Sequence, residues 1–137
     1  MNADTQMITI NVDPEKLFEF VSNPENLAKW EVDICNGIRK VGEDWLVETA
    51  IGDLQLKVVS DIDTGVVDYH LTPPLPIRVS LFTRVLKNGS ASEFIVTHFQ
   101  LPLIPDFDKQ KDKVRIGLEK LKEIMEGSEL GVLENDL

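Results

Sequence analysis

Residues 106–126, DFDKQKDKVRIGLEKLKEIME, are the stretch of sequence that decides the fold. Spaced at 100° per residue, its apolar side chains share one narrow stripe, formed by Phe107, Val114, Leu118, Leu121 and Met125. Charged residues occupy the opposite side, where Ile116 is the exception. The pattern predicts a long amphipathic helix of about five turns, whose apolar stripe packs on a sheet.

The predicted helix has signals at both ends. Asp106 is a suitable N-cap, and Gly127 follows the last apolar position as a C′ residue. Ending the helix there gives a single domain of residues 1–127 and a short acidic C-terminal tail of residues 128–137. Gln110 lies on the apolar stripe, so this end of the helix is either an exposed first turn or the mouth of a cavity.

Composition limits the class of protein. The chain has 137 residues, 42% of them hydrophobic and 28% charged, which is typical of one globular domain. Its formal net charge of −10 argues against a nucleic-acid or an anionic membrane surface as partner. The single cysteine, Cys35, excludes an internal disulfide. No apolar run resembles a signal peptide or a transmembrane segment, so we expect a cytoplasmic protein.

Before the long helix, the sequence is typical of β structure with one helical corner. Residues 6–12 alternate as a first strand, and Asp13-Pro14 and Asn23-Pro24 are two helix start signals ten residues apart. Six further alternating segments follow, separated by glycine turns and by a proline loop at residues 73–76. We therefore predict an α+β fold with a seven-stranded antiparallel sheet and two short helices after the first strand.

Asn88-Gly89 is the strongest hairpin signal in the chain. A two-residue type I′ turn there places Arg84 opposite Glu93 and Val79 opposite His98. Both turn residues then need positive φ. The register puts one uncharged face of this hairpin inside, formed by Ile77, Val79, Leu81, Thr83, Val85, Phe94, Val96, His98 and Gln100.

The order of elements resembles the START-like helix-grip fold, also called the Bet v 1-like or polyketide cyclase/dehydrase superfamily. Two stretches resemble the opening of many bacterial members, INVDPEKLFEFV at residues 10–21 and NPENLAKW at residues 23–30. TRV at residues 83–85, NGS at 88–90 and LEKLKEIME at 118–126 resemble one uncharacterised bacterial branch.

The resemblance covers about residues 6 to 126 and implies a curved sheet wrapped around the final helix, with a cavity between them. It also implies small apolar or amphipathic ligands, as in many members. None of the resembling motifs is a catalytic signature, so the catalytic residues are unknown. Metal-ligand spacings, phosphate loops and nucleophile motifs are missing from the sequence, and we expect no metal and no cofactor.

His98 is the most informative candidate site residue, because it is predicted to face inward between sheet and helix, near Gln100, on the border of a pocket. It could orient a ligand or act as a general acid/base, or it could be a core histidine bonded to Gln100 or to backbone. The facing of His70 is left open. The full predicted set of cavity-lining residues is His98, Gln100, Val79, Leu81, Phe94, Val96, Trp45, Tyr69, Val114 and Leu118.

Three functions fit the sequence. The first is binding of a small, largely apolar ligand between the sheet and the C-terminal helix. The second is a cyclase, dehydrase or lyase reaction in which His98 works with Tyr69 or Gln100 as a proton relay. The third is an interaction module like the START-like activators of a heat-shock ATPase, and a homodimer is also left open. An apolar cavity with one or two polar groups favours binding, whereas a filled core with an exposed apolar patch favours the module.

Overall fold

The computed structural model describes residues 1–32, 35–72, 78–101 and 105–135, with side chains as far as Gly127. The predicted proline loop and the inward position of Ile77 lie outside these residues. The strands are β1 (Ala3–Ile10), β2 (Gly37–Val41), β3 (Asp44–Thr49), β4 (Gly52–Asp61), β5 (Val66–Thr72), β6 (Val79–Asn88) and β7 (Ala91–Phe99). The helices are α1 (Pro14–Ser22), α2 (Leu27–Trp30) and α3 (Phe107–Asn135), with a 3₁₀ turn at Pro24–Asn26.

All seven strands form one antiparallel sheet in the order β1-β7-β6-β5-β4-β3-β2. The sheet is curved, and α3 packs on it with the helical corner nearby, so the predicted α+β helix-grip class is confirmed. The corner begins as the sequence indicated: the Asp13 side chain accepts a hydrogen bond from the Glu15 amide, and Asn23 accepts one from the Glu25 amide.

The apolar stripe of α3 is confirmed. Val114, Leu118 and Leu121 are buried, whereas Ile116 is 46% exposed. The helix also covers the free edge of β1, since Arg115 donates to the Met7 carbonyl and Lys122 donates to the Thr9 carbonyl. These bonds satisfy backbone groups of an edge strand that would otherwise be open to another chain.

The predicted end of the long helix is wrong. The helix does not stop at Gly127, because α3 continues to Asn135 and its backbone includes most of the predicted tail. A methyl group added at Gly127 would meet nothing within 4 Å, so no close contact with another segment requires a glycine at this position. Inside a helix, glycine lowers stability by only about 1 kcal/mol relative to alanine, and the flanking helix-forming residues offset this loss.

The predicted register of the β6–β7 hairpin is wrong by two residues. Asn88 pairs with Ala91, and Arg84 lies opposite Ile95 instead of Glu93. The turn residues are therefore Gly89 and Ser90, and Gly89 has φ 61° whereas Asn88 is not in the positive region. A positive φ at the first turn residue alone is typical of a type II′ turn.

The error in register leaves the inward face of the hairpin unchanged. Side chains alternate with a period of two, so a slip of two residues returns each one to the same side of the sheet. Leu81, Thr83 and Val85 on β6 are buried, as are Phe94, Val96 and His98 on β7. The predicted inside of the hairpin is therefore confirmed for the residues that the structure describes.

Candidate functional site

Strand pairing brings most of the predicted cavity residues into neighbouring positions on the inner face of the sheet. One row runs across four strands through Trp45, Leu56, Leu71 and Val79. The next row contains Tyr69, which pairs with Leu81. Thr97 on β7 pairs with Phe82, so the next residue, His98, lies opposite Leu81 and extends this row. Trp45, Val79 and Gln100 are half-buried, so the first row lies at the more open end of this face.

The remaining predicted residues lie deeper. Phe94 and Val96 are buried on β7, and Val114 and Leu118 are buried on the facing side of α3. The residues predicted from the sequence therefore lie close together, on the inner face of the sheet and on the side of α3 that faces it. A ligand held between these elements would meet aliphatic and aromatic groups almost throughout.

His98 points inward, as predicted, and is 1% exposed. Its Nε2 lies 2.9 Å from Oδ2 of Asp4, the residue that it faces on β1. Its Nδ1 lies 2.8 Å from Nε2 of Gln110 on α3. The imidazole thus connects the first strand, the last strand and the long helix at one point.

The partners of Gln110 determine which nitrogen of His98 carries the proton. The Gln110 carboxamide oxygen accepts from the Leu101 amide at 3.0 Å, and its nitrogen also donates to the Phe99 carbonyl at 2.8 Å. Gln110 therefore presents a donor to His98, so Nδ1 accepts and the Nε2 hydrogen is donated to Asp4. This chain of bonds satisfies every polar atom of the two side chains, which is the usual condition for burying them.

Asp4 is the anionic end of this network. Burial opposes its ionisation, but hydrogen bonds from Gln6 and His98 outweigh burial and hold the pKa of the carboxyl below its ordinary value. The Gln6 side chain also donates to the Lys111 carbonyl at 2.9 Å, which adds a second link between β1 and α3.

Two expectations about His98 need correction. Its side-chain partner on the helix side is Gln110, whereas Gln100 accepts a hydrogen bond from Asn2 at 2.9 Å. The proton relay with Tyr69 is not formed either, because the Tyr69 hydroxyl is hydrogen-bonded to the Val21 carbonyl. Gln110 is 5% exposed and belongs to a buried network, so the first turn of α3 is not an exposed end at this position.

An open groove of about 660 Å³ lies outside this network, between the start of β1 and the first turn of α3. Asn2, Phe107 and Lys111 are among the residues that line it. Phe107 also contacts His98, with the ring centroids 5.6 Å apart. The histidine is therefore close to a surface groove but lies under an aromatic side chain.

His70 faces away from the interior. It alternates with the buried residues Tyr69 and Leu71, and its Nδ1 lies 2.8 Å from the Ser80 hydroxyl. The two histidines therefore lie on opposite faces of the sheet. Among the residues that the structure describes, no group of three His, Cys, Asp or Glu side chains is placed to hold a metal ion.

Trp30 lies in the hydrophobic core between the sheet and the helices. Its side chain is fully buried, and its ring makes edge contacts with Tyr69 and Phe94, at centroid distances of 6.0 and 5.6 Å. The indole N–H is also buried, and it has no hydrogen-bond partner in the described part of the chain. A buried donor in this state costs about 1–3 kcal/mol, and a ligand acceptor that bonded to it would recover that free energy.

Sequence reasoning missed Glu31 as a buried polar residue and Asp4 as a partner of His98. Gln110 was a candidate, because it is a polar residue on an apolar stripe. Asp4 and Glu31 carried no signal, because the first precedes the predicted start of β1 and the second follows a short helix that has no apolar pattern of its own. Glu31 is nevertheless only 2% exposed.

Comparison of the structure with solved structures supplies the fold type. The chain is similar to the Aha1 dimer from Colwellia psychrerythraea, with a TM-score of 0.69 and 20% identity over 91% of this chain and 96% of that one. A START superfamily protein from Mycobacterium smegmatis gives 0.67 and 12%, over 91% and 97%. Ara h 8.0201 gives 0.64 and 16%, over 92% and 98%.

The chain has the START-like, or Bet v 1-like, helix-grip fold. No protein-family model matches the sequence, and no curated protein matches it significantly. At these identities the similarity describes the START-like fold alone. Within the described residues, no helix is both long and apolar enough to cross a membrane.

Proposed function

We propose that the protein binds a small, largely apolar or amphipathic molecule between the inner face of the sheet and α3. The observation that carries this proposal is the buried indole N–H of Trp30, which lacks a partner among the described residues and lies in a mostly apolar core. A ligand with a hydrogen-bond acceptor would satisfy this donor while it buries its own apolar surface.

The half-buried end of the inner face is where the ligand would extend toward solvent. Trp45 and Val79 provide apolar walls there, and Gln100 provides a polar group beside them. The deeper walls are formed by Tyr69, Leu81, Phe94, Val96, Val114 and Leu118. His98 supports the wall at the β1 end. Because the Trp30 ring is fully buried against Tyr69 and Phe94, ligand entry requires the indole to move aside.

Native mass spectrometry of the protein purified from its own host tests this proposal directly. We expect a bound small molecule that denaturation releases. Val79→Trp fills the half-buried end and should lower the bound fraction at least tenfold, whereas Phe82→Trp, on the outer face of the same strand, should leave it unchanged. Equal loss in both variants, or no bound molecule after addition of apolar probes, would count against an interior site.

Acid/base catalysis by His98 has weaker support. Both ring nitrogens are hydrogen-bonded to protein groups, and the ring is buried under Phe107. A general acid or base must reach the proton that it transfers, directly or through one water. In this network His98 positions strands and helix instead.

Self-association is a second candidate function, favoured by the outer face of the sheet. Phe82 and Phe99 contact each other edge to face at 6.2 Å, and they are 39% and 43% exposed. Met7, on the adjacent strand β1, is 56% exposed. The similar Aha1 protein is described as a dimer. Light scattering of the wild type and of Phe82→Ser tests whether a homodimer forms through this face, and a monomeric wild type would refute it.

A further inference from the structure

Lys40 lies on the last strand of the sheet, β2, at the half-buried end of the inner face. It pairs with Trp45 on β3, and its Nζ lies 5.7 Å from the centre of the Trp45 ring. Trp45 in turn pairs with Leu56, and the row continues to Leu71 and Val79. The row therefore runs from an exposed ammonium group over a half-buried aromatic ring to the buried side chains of Leu56 and Leu71.

The two neighbouring cations of β2 have different surroundings. Arg39 lies on the outer face, where it forms ion pairs with Glu48 at 2.8 Å and with Asp53 at 2.7 Å. Lys40 contacts the Trp45 ring, and no carboxylate of the described chain lies within ion-pair distance of it. The ammonium group of Lys40 is therefore accessible to an anion that reaches the half-buried end.

Lys40 is also the cation of the inner face at this end. The other charged side chains that alternation places on this face of the described strands are Asp4 and Lys87. Asp4 is hydrogen-bonded to His98, and Lys87 lies near the opposite end of β6 from Val79. The formal net charge of −10 repels anions from the molecule as a whole, so an anionic ligand needs a local cation. Lys40 provides one where the ligand would meet solvent.

An ammonium group beside an aromatic ring suits a ligand whose two ends differ in polarity. The charged head would stay at the exposed rim with Lys40, where it keeps part of its hydration. The adjoining apolar part would pack on the Trp45 ring, and the tail would extend toward Leu56 and Leu71. A ligand cation would be repelled by Lys40 and would compete with it for the face of the ring.

We propose that the ligand of this interior is an amphipathic anion, such as a carboxylate on an apolar body, whose head group binds Lys40 at the rim. Lys40 determines the charge of the head group, and Trp45 packs against the part of the ligand next to it. This inference rests on the proposed function, because it names the class of ligand that the same interior accepts.

Three naphthalene probes of similar size test the choice of head group. 2-Naphthoate is an anion at pH 7, 2-acetylnaphthalene is neutral, and 2-(aminomethyl)naphthalene is a cation. Binding of each probe is measured by titration calorimetry at low ionic strength. We expect naphthoate to bind about fivefold more tightly than the ketone, the scale of a partly exposed ion pair, and the cation to bind most weakly. Raising NaCl to about 0.5 M should reduce the preference for naphthoate, since salt screens exposed charges.

Matched variants assign the preference to the charge of Lys40. Lys40→Met removes the charge and keeps a long apolar side chain, so it should lower the ratio of naphthoate to ketone affinity to about one. Lys40→Arg keeps the charge and should keep the preference. Lys57→Met is the control, because it removes the same charge from an exposed position on the outer face of β4 and should leave the ratio at its wild-type value.

The ranking of the probes in the wild-type protein decides the inference first. Naphthoate binding no more tightly than the ketone would overturn it while leaving interior binding intact. Equal loss of the preference in Lys40→Met and Lys57→Met would also overturn it, because the overall charge would then explain the effect. Failure of all three probes to bind is a different result, which would refute the proposed function itself and this inference with it.

Discussion

Replacing His98 by leucine tests the buried network that joins β1, β7 and α3. Leucine is apolar and close in size, so it fits the sheet interior without a large cavity. It removes the hydrogen bonds to the Asp4 carboxylate at 2.9 Å and to the Gln110 amide at 2.8 Å. Gln110 keeps its bonds to the backbone of Phe99 and Leu101, and Asp4 keeps its bond from Gln6.

The expected cost follows from these two bonds. A hydrogen bond to an ionised group contributes about 2 kcal/mol and a neutral one about 1 kcal/mol. The more apolar leucine side chain offsets about 1 kcal/mol by the larger apolar area that it buries. We therefore expect His98→Leu to lower the free energy of unfolding by about 2 kcal/mol, while the protein remains folded.

Urea denaturation at pH 7, followed by circular dichroism, measures this loss. His70→Leu is the matched control, because His70 lies on the outer face, where it is hydrogen-bonded to Ser80 and makes an edge contact with the ring of Phe82. We expect its effect to stay within about 0.5 kcal/mol, as for other surface substitutions. A loss for His98→Leu no larger than that of the control would refute the assignment of this network to the stability of the fold.

Three further predictions concern the core, the thiol and acid stability. Leu118→Ala should cost about 2–5 kcal/mol in chemical denaturation, because Leu118 is fully buried at the centre of the α3 stripe; a loss under 1 kcal/mol would contradict that packing. Cys35, buried and with a pKa raised to about 12, should not react with a disulfide reagent at pH 8 until the protein is unfolded, and rapid labelling of the native protein would be the contrary result. The pKa of Asp4 is lowered from 3.8, so its stabilisation should be present above about pH 4 and be lost as the pH falls through the lower folded value. Asp4→Asn should flatten this acid limb, and an unchanged pH profile would disprove the effect.

The sequence by itself determined the elements and their faces, because these depend on short-range spacing. Apolar residues three and four apart marked the stripe of α3 around Leu118, and alternation marked the strands. Asp13-Pro14 and Asn23-Pro24 marked the helical corner, since a side-chain cap needs only its own neighbours. The inward side of His98 was predictable for the same reason, because alternation along one strand is unchanged by a register slip of two residues.

The tertiary structure alone decided which residues meet. The hairpin register depended on whether the turn uses Asn88-Gly89 or Gly89-Ser90, two arrangements that the sequence allows and that strand pairing distinguishes. The partners of His98 come from β1 and from α3, so they follow from where a helix crosses a sheet and not from any local pattern. Glu31 is buried because α3 approaches α2 at Gly117, where only a residue without a side chain leaves room for a carboxyl group. Burial and hydrogen bonding between distant segments are properties of the packed chain, and for that reason the interior chemistry became visible only in the folded structure.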